Sequence, residues 1–532
     1  MAAASHSAQS VDVLFVGSGI NALVAAALLA RAGRRVLLLE RNDRLGGCIR
    51  TDALTLPGFA HDTLSTAHPL FMVGPAYATL GKALHEAGLV YCNTAAPTGV
   101  LLPDGRHQIL WNARERNLAA LGADGAAWST ALDDVGRQAP LLFSLLGNEL
   151  WRLGTAKTLA GAAWQQGPQA LSAFFGQAMV PARAWLAQAF ADERTRALLA
   201  PWVLHCGLGP DAPLSALMAQ VVAFTLEAVG MPMVRGGSVN LVRAFERLIS
   251  QAGGRWETHA DVAEVLVQRG KACGVRLADG RELRAGQVVC STTPGQLYGR
   301  LLGAEHVPPE VQAQARRWRH GKGNMQIHLA LGSAPQWPDA ALSEVAYLHL
   351  SGGPDAVSRA VNECERDLLP AEPTICVAQP TALDPSRAPI GQHILWVQLP
   401  ECPRFPRGDA AGEIDVAALA PQGGWTPALR EAYADRVLAQ IGRHLPTLAG
   451  ITLARHVLSP ADLPALNINL VGGDPYGGDC SLDQSFLWRQ MPALRNHATP
   501  VAGLWHIGAS THPGPGLGGG SGVHLAQALG AM

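Results

Sequence analysis

The sequence predicts an α/β protein in which one sheet-and-helix domain is assembled from separated segments and an α+β domain is interleaved with it. Three observations lead to this prediction. A strand, a glycine turn and a helix open the chain within residues 11–32, and a strand-rich stretch returns at residues 255–292. A second strand, glycine turn and helix follow at residues 503–529. Between them, residues 95–230 have Leu, Ala and Trp at helical spacing, so we expect that segment to be mainly helical.

The changes of pattern along the chain predict domain boundaries. At 532 residues, the chain is long enough for two large domains. The first ten residues are small and polar, and we expect a flexible tail there. We assign the other segments alternately, with the first domain made of 11–95, 231–300 and 465–532, and the second of 96–230 and 301–464.

Composition limits the classes of function. The chain has 41 basic and 42 acidic residues, so it has no positive excess to neutralise a phosphate backbone, and we expect no nucleic-acid partner. Charged residues make up 16 % and hydrophobic residues 48 %, which leaves an apolar substrate or lipid contact open. The nine cysteines form no CxxC pair and the histidines form no HExxH motif. We therefore expect neither a metal site nor a redox disulfide.

The strongest motif is the first glycine turn. Gly17 permits a tight turn after an apolar strand, and Gly19 lets a pyrophosphate approach the backbone at the helix N-terminus. The small Ala22 allows that helix to pack on the strand. Glu40 follows the next strand about 20 residues on, where an acid accepts hydrogen bonds from ribose hydroxyls. This spacing predicts a Rossmann-type dinucleotide-binding unit.

A second glycine pair follows the acid. Gly46 and Gly47, with Arg41 and Arg44 before them, suit a further approach to the same pyrophosphate. Cys48 comes next, and it is either close to the nucleotide or a packed thiol.

These motifs resemble the FAD-binding start shared by amine oxidases, protoporphyrinogen oxidases and carotenoid desaturases. Those families have arginine where this chain has Cys48. Near the other end, the sequence THPGPGLGG at residues 511–519 is similar to a turn in phytoene and carotenoid desaturases. It is also similar to a turn in the pyridine nucleotide-disulfide oxidoreductase domain-containing protein 2 subgroup. Amine oxidases usually have an acid before this turn, near the position where Ser510 stands here.

The resemblance implies a Rossmann-type FAD-binding domain with an interleaved α+β substrate-binding domain, and FAD as the cofactor. In these families, the residue matching Val262 touches the adenine through its backbone, although a plain core strand explains Val262 equally well. The motifs and the resemblance together assign the following residues to FAD binding: Gly17, Gly19, Ala22, Glu40, Arg41, Arg44, Gly46, Gly47, Val262, Gly508, Gly518 and Gly519.

Three polar residues are candidates for catalysis. His61 and Asp62 lie in a loop that resembles one beside the flavin ring, although a structural hydrogen bond would explain both equally well. His512 lies in the C-terminal turn. None of the three is an obvious general base. The resemblance implies hydride transfer from a substrate C–H to flavin N5, followed by reoxidation by an acceptor such as oxygen or a quinone.

Three functional hypotheses follow. The first is an FAD-dependent desaturase or dehydrogenase acting on a small apolar, isoprenoid or carotenoid-like molecule. The second is a flavin amine oxidase, and the third is an FAD-binding regulatory protein with little catalysis. The N-terminal residues lack the pattern of a secretory signal. We therefore expect a cytoplasmic location, with peripheral membrane contact left open.

Overall fold

The computed structural model describes residues 11–532, which form two large sheets and the helices around them. The predicted tail at residues 1–10 lies outside the described residues. Five strands of the first sheet run parallel, in the spatial order Leu504–Ile507, Glu282–Ser291, Val11–Val16, Val36–Leu39 and Arg255–Glu257. An antiparallel extension beside Glu282–Ser291 adds Val262–Gln268 and Lys271–Leu277. Apart from Val11–Val16 and Val36–Leu39, neighbouring strands of the parallel part come from distant parts of the chain.

Helices cover the first sheet with small and aliphatic side chains. They are Ile20–Arg31, Pro75–Glu86, Val239–Gln251 and Gly520–Ala528. The first and the last of these pack closely together, because a Cβ on Gly522 would lie 2.2 Å from the Asn21 carbonyl oxygen. This contact brings the two predicted glycine turns, which precede these helices, to the same region of the molecule.

The second sheet also has seven strands. In spatial order they are Thr452–Leu458, Gly323–Leu331, His393–Cys402, Ile375–Ala378, Tyr347–Leu350, Thr98–Leu101 and His107–Leu110. One face of this sheet is apolar and packs with the helix Pro427–Gly442 in a common core that includes Ile327, Val397 and Val437. The opposite face contains polar and aromatic side chains and is turned towards the first sheet.

The helices of the second region lie mainly between residues 114 and 229. They are Arg114–Leu121, Gly125–Gly147, Leu153–Gln166, Pro168–Ala178, Ala182–Ala189, Glu193–Leu199 and Ser215–Val229, with Pro309–Arg317 and Pro354–Glu365 later in the chain. The expectation of helical structure is met here, but the two strands within residues 98–110 were missed. Thr98–Leu101 is buried throughout, so its sequence lacks the alternation of polar and apolar residues that would indicate a strand.

Short elements connect these parts. Paired two-residue strands are Thr51–Asp52 with His61–Asp62, Tyr91–Cys92 with Met233–Val234, and Leu368–Leu369 with Gly408–Asp409. Short helices are Pro69–Met72, Pro294–Gln296, Pro380–Leu383, Val416–Leu419, Leu448–Ile451 and Leu463–Leu466. No helix within residues 11–532 combines the length and the apolar character needed to cross a bilayer.

Candidate active site

A single long cavity joins the edge of the first sheet to the polar face of the second. Its volume is about 360 Å³. Sites for small molecules typically enclose ~300–1,000 Å³, so this cavity has the size of a ligand-binding site. Its lining contains the glycine turns at residues 17–19, 46–47 and 508 at one end. At the other end, residues of the second sheet and of the helix Ser215–Val229 form a chamber.

The first glycine turn leaves backbone groups accessible to a ligand. Gly17 has a φ of 89°, and a Cβ there would lie 3.1 Å from the Ser291 carbonyl oxygen, so the fold itself requires glycine. Gly19 has a φ of −62°, and a Cβ there would come no closer than 3.9 Å to the Ser291 hydroxyl. Gly19 precedes the helix Ile20–Arg31 without a side-chain cap, so the first N–H groups of that helix are available to an anion.

Glu40 is held at the end of its strand by three hydrogen bonds. Its carboxylate accepts them from the Ser18 hydroxyl at 2.6 Å, the Ser18 backbone N–H at 3.2 Å and the Asn42 backbone N–H at 3.0 Å. The side chain is buried at the cavity wall, and its orientation is set before any ligand arrives. A carboxylate preorganised in this way can accept hydrogen bonds from ribose hydroxyls.

The second glycine pair lies directly against the first turn. Gly46 forms a parallel bridge with Gly19, and a Cβ on Gly47 would lie 3.1 Å from the Gly19 Cα. Cys48 follows, and its Sγ accepts a hydrogen bond from the Asn467 side-chain amide at 3.4 Å. Burial raises the pKa of the Cys48 thiol to about 11, so this cysteine is protonated at neutral pH.

The structure gathers most of the residues assigned to the nucleotide. The cavity lining includes Gly17, Gly19, Glu40, Arg41, Gly46, Gly47, Val262 and Gly508.

The other four assigned residues lie outside that lining. Ala22 is fully buried within its helix. Arg44 forms ion pairs with Asp43 at 3.1 Å and Asp52 at 2.6 Å. Gly519 has a φ of 72°, and a Cβ there would lie 2.8 Å from a methyl group of Val24, so this turn serves helix packing. Gly518 precedes it in the same turn, and a Cβ there would lie 3.6 Å from the Leu70 carbonyl oxygen.

The three candidate catalytic residues also lie outside the cavity lining. Asp62 is buried, forms an ion pair with Arg387, and accepts hydrogen bonds from Thr51 at 2.7 Å, Thr66 at 2.6 Å and the Ser238 backbone N–H at 2.7 Å. Burial opposes ionisation of Asp62, but Arg387 and these donors outweigh it and lower its pKa. Asp62 therefore has the contacts of a group that joins separate segments of the fold.

The two histidines are buried among structural contacts. His61 is hydrogen-bonded to Thr55 at 2.7 Å, and its ring lies edge-on to His328. His512 donates from Nε2 to the Leu145 carbonyl oxygen at 3.0 Å and stacks on His524. Burial lowers the pKa of His61 to about 4 and that of His512 to about 3. Both rings are therefore neutral at physiological pH, and the structure does not bring them together at the cavity.

The chamber at the other end of the cavity was not predicted from the sequence. Trp202 and His205 pack with ring centroids 4.8 Å apart, and Tyr347 and Trp396 with centroids 6.0 Å apart. All four line the cavity, together with polar residues of the second sheet such as Asn324. The alternation of polar and apolar residues from Asn324 to Leu329 was the available signal, because it predicts a strand with one polar face. Which way that face points depends on tertiary structure.

The described residues fit a dinucleotide at the first-sheet end. The uncapped helix start and the glycines beside it suit a pyrophosphate. The preorganised Glu40 suits a ribose. The aromatic chamber at the other end of the same cavity provides the space for a reacting molecule. A dinucleotide site that continues into an aromatic chamber is the arrangement expected of a flavin-dependent oxidoreductase.

Comparisons with known proteins support this class. The family model described as "Flavin containing amine oxidoreductase" matches residues 23–414, more than half of the chain. The chain belongs to this family, and it is a flavin-dependent oxidoreductase.

Individual relatives are similar over almost their whole length. The chain is 27 % identical to the mouse (Mus musculus) pyridine nucleotide-disulfide oxidoreductase domain-containing protein 2, over 97 % of this chain and 93 % of that protein. It is also 27 % identical to a zeta-carotene-forming phytoene desaturase of Myxococcus xanthus, over 96 % and 92 %. A solved oxidoreductase from Methanosarcina mazei shares the fold, with a TM-score of 0.60 at 17 % identity over 97 % of this chain and 99 % of that one. These matches confirm the predicted fold class and the predicted resemblance to desaturases.

Proposed function

We propose that the protein binds FAD in the long cavity and dehydrogenates an apolar, isoprenoid-like molecule in the chamber beneath the second sheet. The main observation in support is the continuity of the cavity, which runs from the glycine turns to the aromatic chamber without a dividing wall. The similarity to a phytoene desaturase supports an isoprenoid-like substrate.

The adenine half of the dinucleotide is the part of the proposal that the first sheet supports. Glu40 is oriented for a ribose, and Val262 lies at the cavity wall at the start of its strand. The guanidinium nitrogens of Arg41 and Arg300 lie 3.8 and 4.0 Å from the carboxylate oxygens of Asp261. These ion pairs lie at the same end of the cavity. A nucleotide with an adenosine half would use this end fully, whereas a mononucleotide flavin would leave it empty.

When bound, the flavin would supply the acceptor for a hydride from a substrate carbon. The residues of this chain would position that carbon and exclude water, since the chamber is walled by Trp202, Tyr347, Trp396 and Leu226. His205 is the one histidine in the cavity lining of the described residues, and burial lowers its pKa to about 4. The chemistry we propose therefore requires no protonated histidine.

The first experiment is an absorption spectrum of the purified protein, followed by release of the chromophore by heat and determination of its mass. We expect a flavin spectrum and the mass of FAD. Release of a mononucleotide flavin would contradict the FAD assignment, and a colourless protein that takes up no added flavin would contradict the whole proposal.

The second experiment separates the desaturase hypothesis from the amine oxidase hypothesis. The loaded protein is mixed anaerobically with isoprenoids and then with primary amines, and bleaching of the flavin absorbance is followed. We expect isoprenoids to bleach the flavin and amines to leave it oxidised. Readmission of oxygen, or addition of a quinone, then identifies the acceptor by the faster return of the absorbance.

We also propose that a helical hairpin makes peripheral contact with a membrane surface. Leu153 and Trp164 are 82 % and 91 % exposed on the helix Leu153–Gln166, and Phe175 is 46 % exposed on the next helix. Exposed apolar side chains grouped in this way are typical of a lipid-facing surface. The helix Pro168–Ala178 contacts the helix Ser215–Val229, which lines the cavity, so the surface lies close to the substrate chamber.

Vesicle flotation tests this contact. We expect the wild-type protein to float with the vesicles and the Leu153→Ser, Trp164→Ser double variant to stay in the dense fraction. Ile390→Ser is the matched control, because Ile390 is fully exposed elsewhere on the molecule. Absence of flotation for the wild type would contradict the proposal.

A further inference from the structure

The chamber wall contains buried polar atoms that have no hydrogen-bond partner among the residues of the described chain. All of them belong to residues that line the cavity and are at most 5 % exposed. The atoms are Nε1 of Trp202 and of Trp396, Oδ1 and Nδ2 of Asn324, Oε1 of Gln326 and Oγ1 of Thr225.

Unpaired buried polar atoms are rare in folded proteins, because each loses its bonds to water without replacing them. Thr225 illustrates the point. A threonine within a helix usually donates to the carbonyl one turn earlier, yet the Thr225 hydroxyl has no partner in the helix Ser215–Val229. Buried atoms without a partner also occur away from the cavity, but here five residues present them around one chamber, where a ligand would supply the partners.

The unpaired atoms come from separate elements and converge on one space. Trp202 lies in the 3-10 segment Ala200–Cys206, Asn324 in the strand Gly323–Leu331 and Trp396 in the strand His393–Cys402. The two strands are neighbours in the second sheet, and the Trp202 and Trp396 rings both pack against Tyr347. An indole N–H can only donate, so two of these groups require an acceptor atom on the ligand.

The distribution of charge indicates which kind of acceptor. The charged side chains of the cavity lining are Glu40, Arg41, Asp261 and Arg300, and all lie at the nucleotide end. Within the described chain, the chamber is lined by neutral groups only, and His205 is neutral because burial lowers its pKa to about 4. A carboxylate or an ammonium group would lose its hydration there without meeting an opposite charge.

We infer that the substrate is an uncharged molecule with an apolar skeleton and at least one oxygen function, a hydroxyl or a carbonyl, which accepts hydrogen bonds from Trp202 and Trp396. The amide of Asn324 can donate to the same oxygen or accept from a hydroxyl. This inference rests on the proposed function, because it places the substrate in the chamber, and it adds the polar group that a hydrocarbon substrate would lack.

Three probes with one carbon skeleton test the inference: farnesol, farnesene and farnesylamine. Their binding to the flavin-loaded protein at neutral pH is measured by calorimetry under anaerobic conditions. We expect farnesol to bind at least tenfold more tightly than farnesene, and farnesylamine to bind more weakly than farnesol. Farnesene binding as tightly as farnesol, farnesylamine binding most tightly, or no binding of any probe would overturn the inference.

Two variants locate the effect. Trp202→Phe and Trp396→Phe remove the indole N–H and keep an aromatic ring, so together they should reduce the preference for farnesol over farnesene to less than threefold. Trp488→Phe, at a tryptophan that is 41 % exposed and outside the cavity lining, is the matched control and should leave the preference unchanged. An unchanged preference in the double variant, or loss of flavin from it, would overturn the assignment of these groups to the substrate.

Binding and turnover are measured separately, so the two proposals can fail independently. If farnesol binds with the expected preference but no isoprenoid bleaches the flavin, the proposed dehydrogenation fails and the inference about the chamber stands. If isoprenoids bleach the flavin but farnesene is preferred, the inference fails and the proposed function stands.

Discussion

The two ends of the cavity present different groups: mainly backbone groups at the nucleotide end and side-chain groups in the chamber. At the nucleotide end, glycines and the start of the helix Ile20–Arg31 present backbone N–H groups, and one carboxylate, Glu40, is fixed by neighbouring residues. In the chamber, Trp202, Trp396 and Asn324 present side-chain groups on a rigid sheet and a short helical segment. In our proposal, the backbone end binds a part common to many dinucleotides, whereas the side-chain end selects one substrate.

The difference matters for how each end responds to mutation. A backbone site is destroyed when a side chain is introduced, since the Cβ fills the space that the ligand needs. A side-chain site is altered when one functional group is removed, and its shape can be kept by a conservative replacement.

Acid should destabilise the protein most strongly, because both halves contain buried neutral histidines. Burial lowers the pKa of several rings from 6.5 to about 4, namely those of His61, His68, His205, His506 and His524. As the pH falls below 6.5, these histidines bind protons in the unfolded chain, whereas their buried rings in the folded chain stay neutral until the pH approaches 4. The free energy of unfolding should therefore fall between pH 6.5 and 4, by up to about 1.4 kcal/mol per pH unit for each ring.

Urea unfolding at a series of pH values measures this loss. Replacement of His68 by Gln should make the free energy of unfolding less dependent on pH over that interval. A free energy of unfolding that stays constant from pH 7 to 4.5 would show that these rings are hydrated in solution.

The substitution Asp62→Asn should be the most damaging single change at neutral pH. It removes the carboxylate that pairs with one terminal nitrogen of the fully buried Arg387 and leaves only the longer contact of its Nε with Asp384 at 3.4 Å. Removing one partner of a buried ion pair typically costs about 3–5 kcal/mol. Chemical unfolding at pH 7 measures the effect. Glu193→Gln is the control, since Glu193 pairs with Arg106 where both side chains are 51 % exposed, and it should change the free energy of unfolding by less than about 1 kcal/mol.

The substitution Gly19→Val tests the backbone end alone. The φ of Gly19 suits any residue and its Cβ position is free within the protein, so the fold should persist. The added methyl groups would occupy the space for a phosphate at the helix start. We expect flavin affinity to fall at least about 100-fold, ~2.7 kcal/mol, with little change in thermal stability of the flavin-free protein.

Flavin titration followed by fluorescence quenching measures this loss. Gly161→Ala, on an exposed helix with open space around the glycine, is the matched control and should bind flavin normally. Unchanged affinity in the Gly19 variant would mean that the cofactor lies away from this turn.

The substitution His61→Gln should have the smallest effect on catalysis. His61 lies outside the cavity lining and is neutral, so we expect the rate of flavin reduction to change less than about fivefold, ~1 kcal/mol. Stopped-flow reduction by a substrate measures the rate. A loss of more than a hundredfold with normal flavin content would restore His61 as a catalytic candidate.

Much of the nucleotide end could be predicted from the sequence. The turn at Gly17 and Gly19, the helix after it and the acid at Glu40 lie within 30 residues, so local spacing alone specifies their geometry. The resemblance to flavin oxidoreductases followed from these motifs and from the C-terminal turn. The division into six segments and the residue assignments stay predictions, because the comparisons do not test them.

Two groups of predicted site residues have surroundings that local pattern does not specify. Gly518 and Gly519 lie in the C-terminal turn that is similar to a desaturase turn, and a Cβ on Gly519 would lie 2.8 Å from a methyl group of Val24 on the neighbouring helix. His61 and Asp62 lie in a predicted loop, and Asp62 forms an ion pair with Arg387, 325 residues away. The spacing of nearby residues predicts neither contact.

The sequence by itself determined the class of fold and predicted the glycine turns that we propose bind the dinucleotide, because those features arise within short, continuous segments. Only the tertiary structure decided which face of the second sheet meets the cavity. The alternation from Asn324 to Leu329 defines a polar and an apolar face, but their directions depend on the helix Pro427–Gly442 packing on the apolar side. Long-range packing therefore placed Trp202, Asn324 and Trp396 around one chamber.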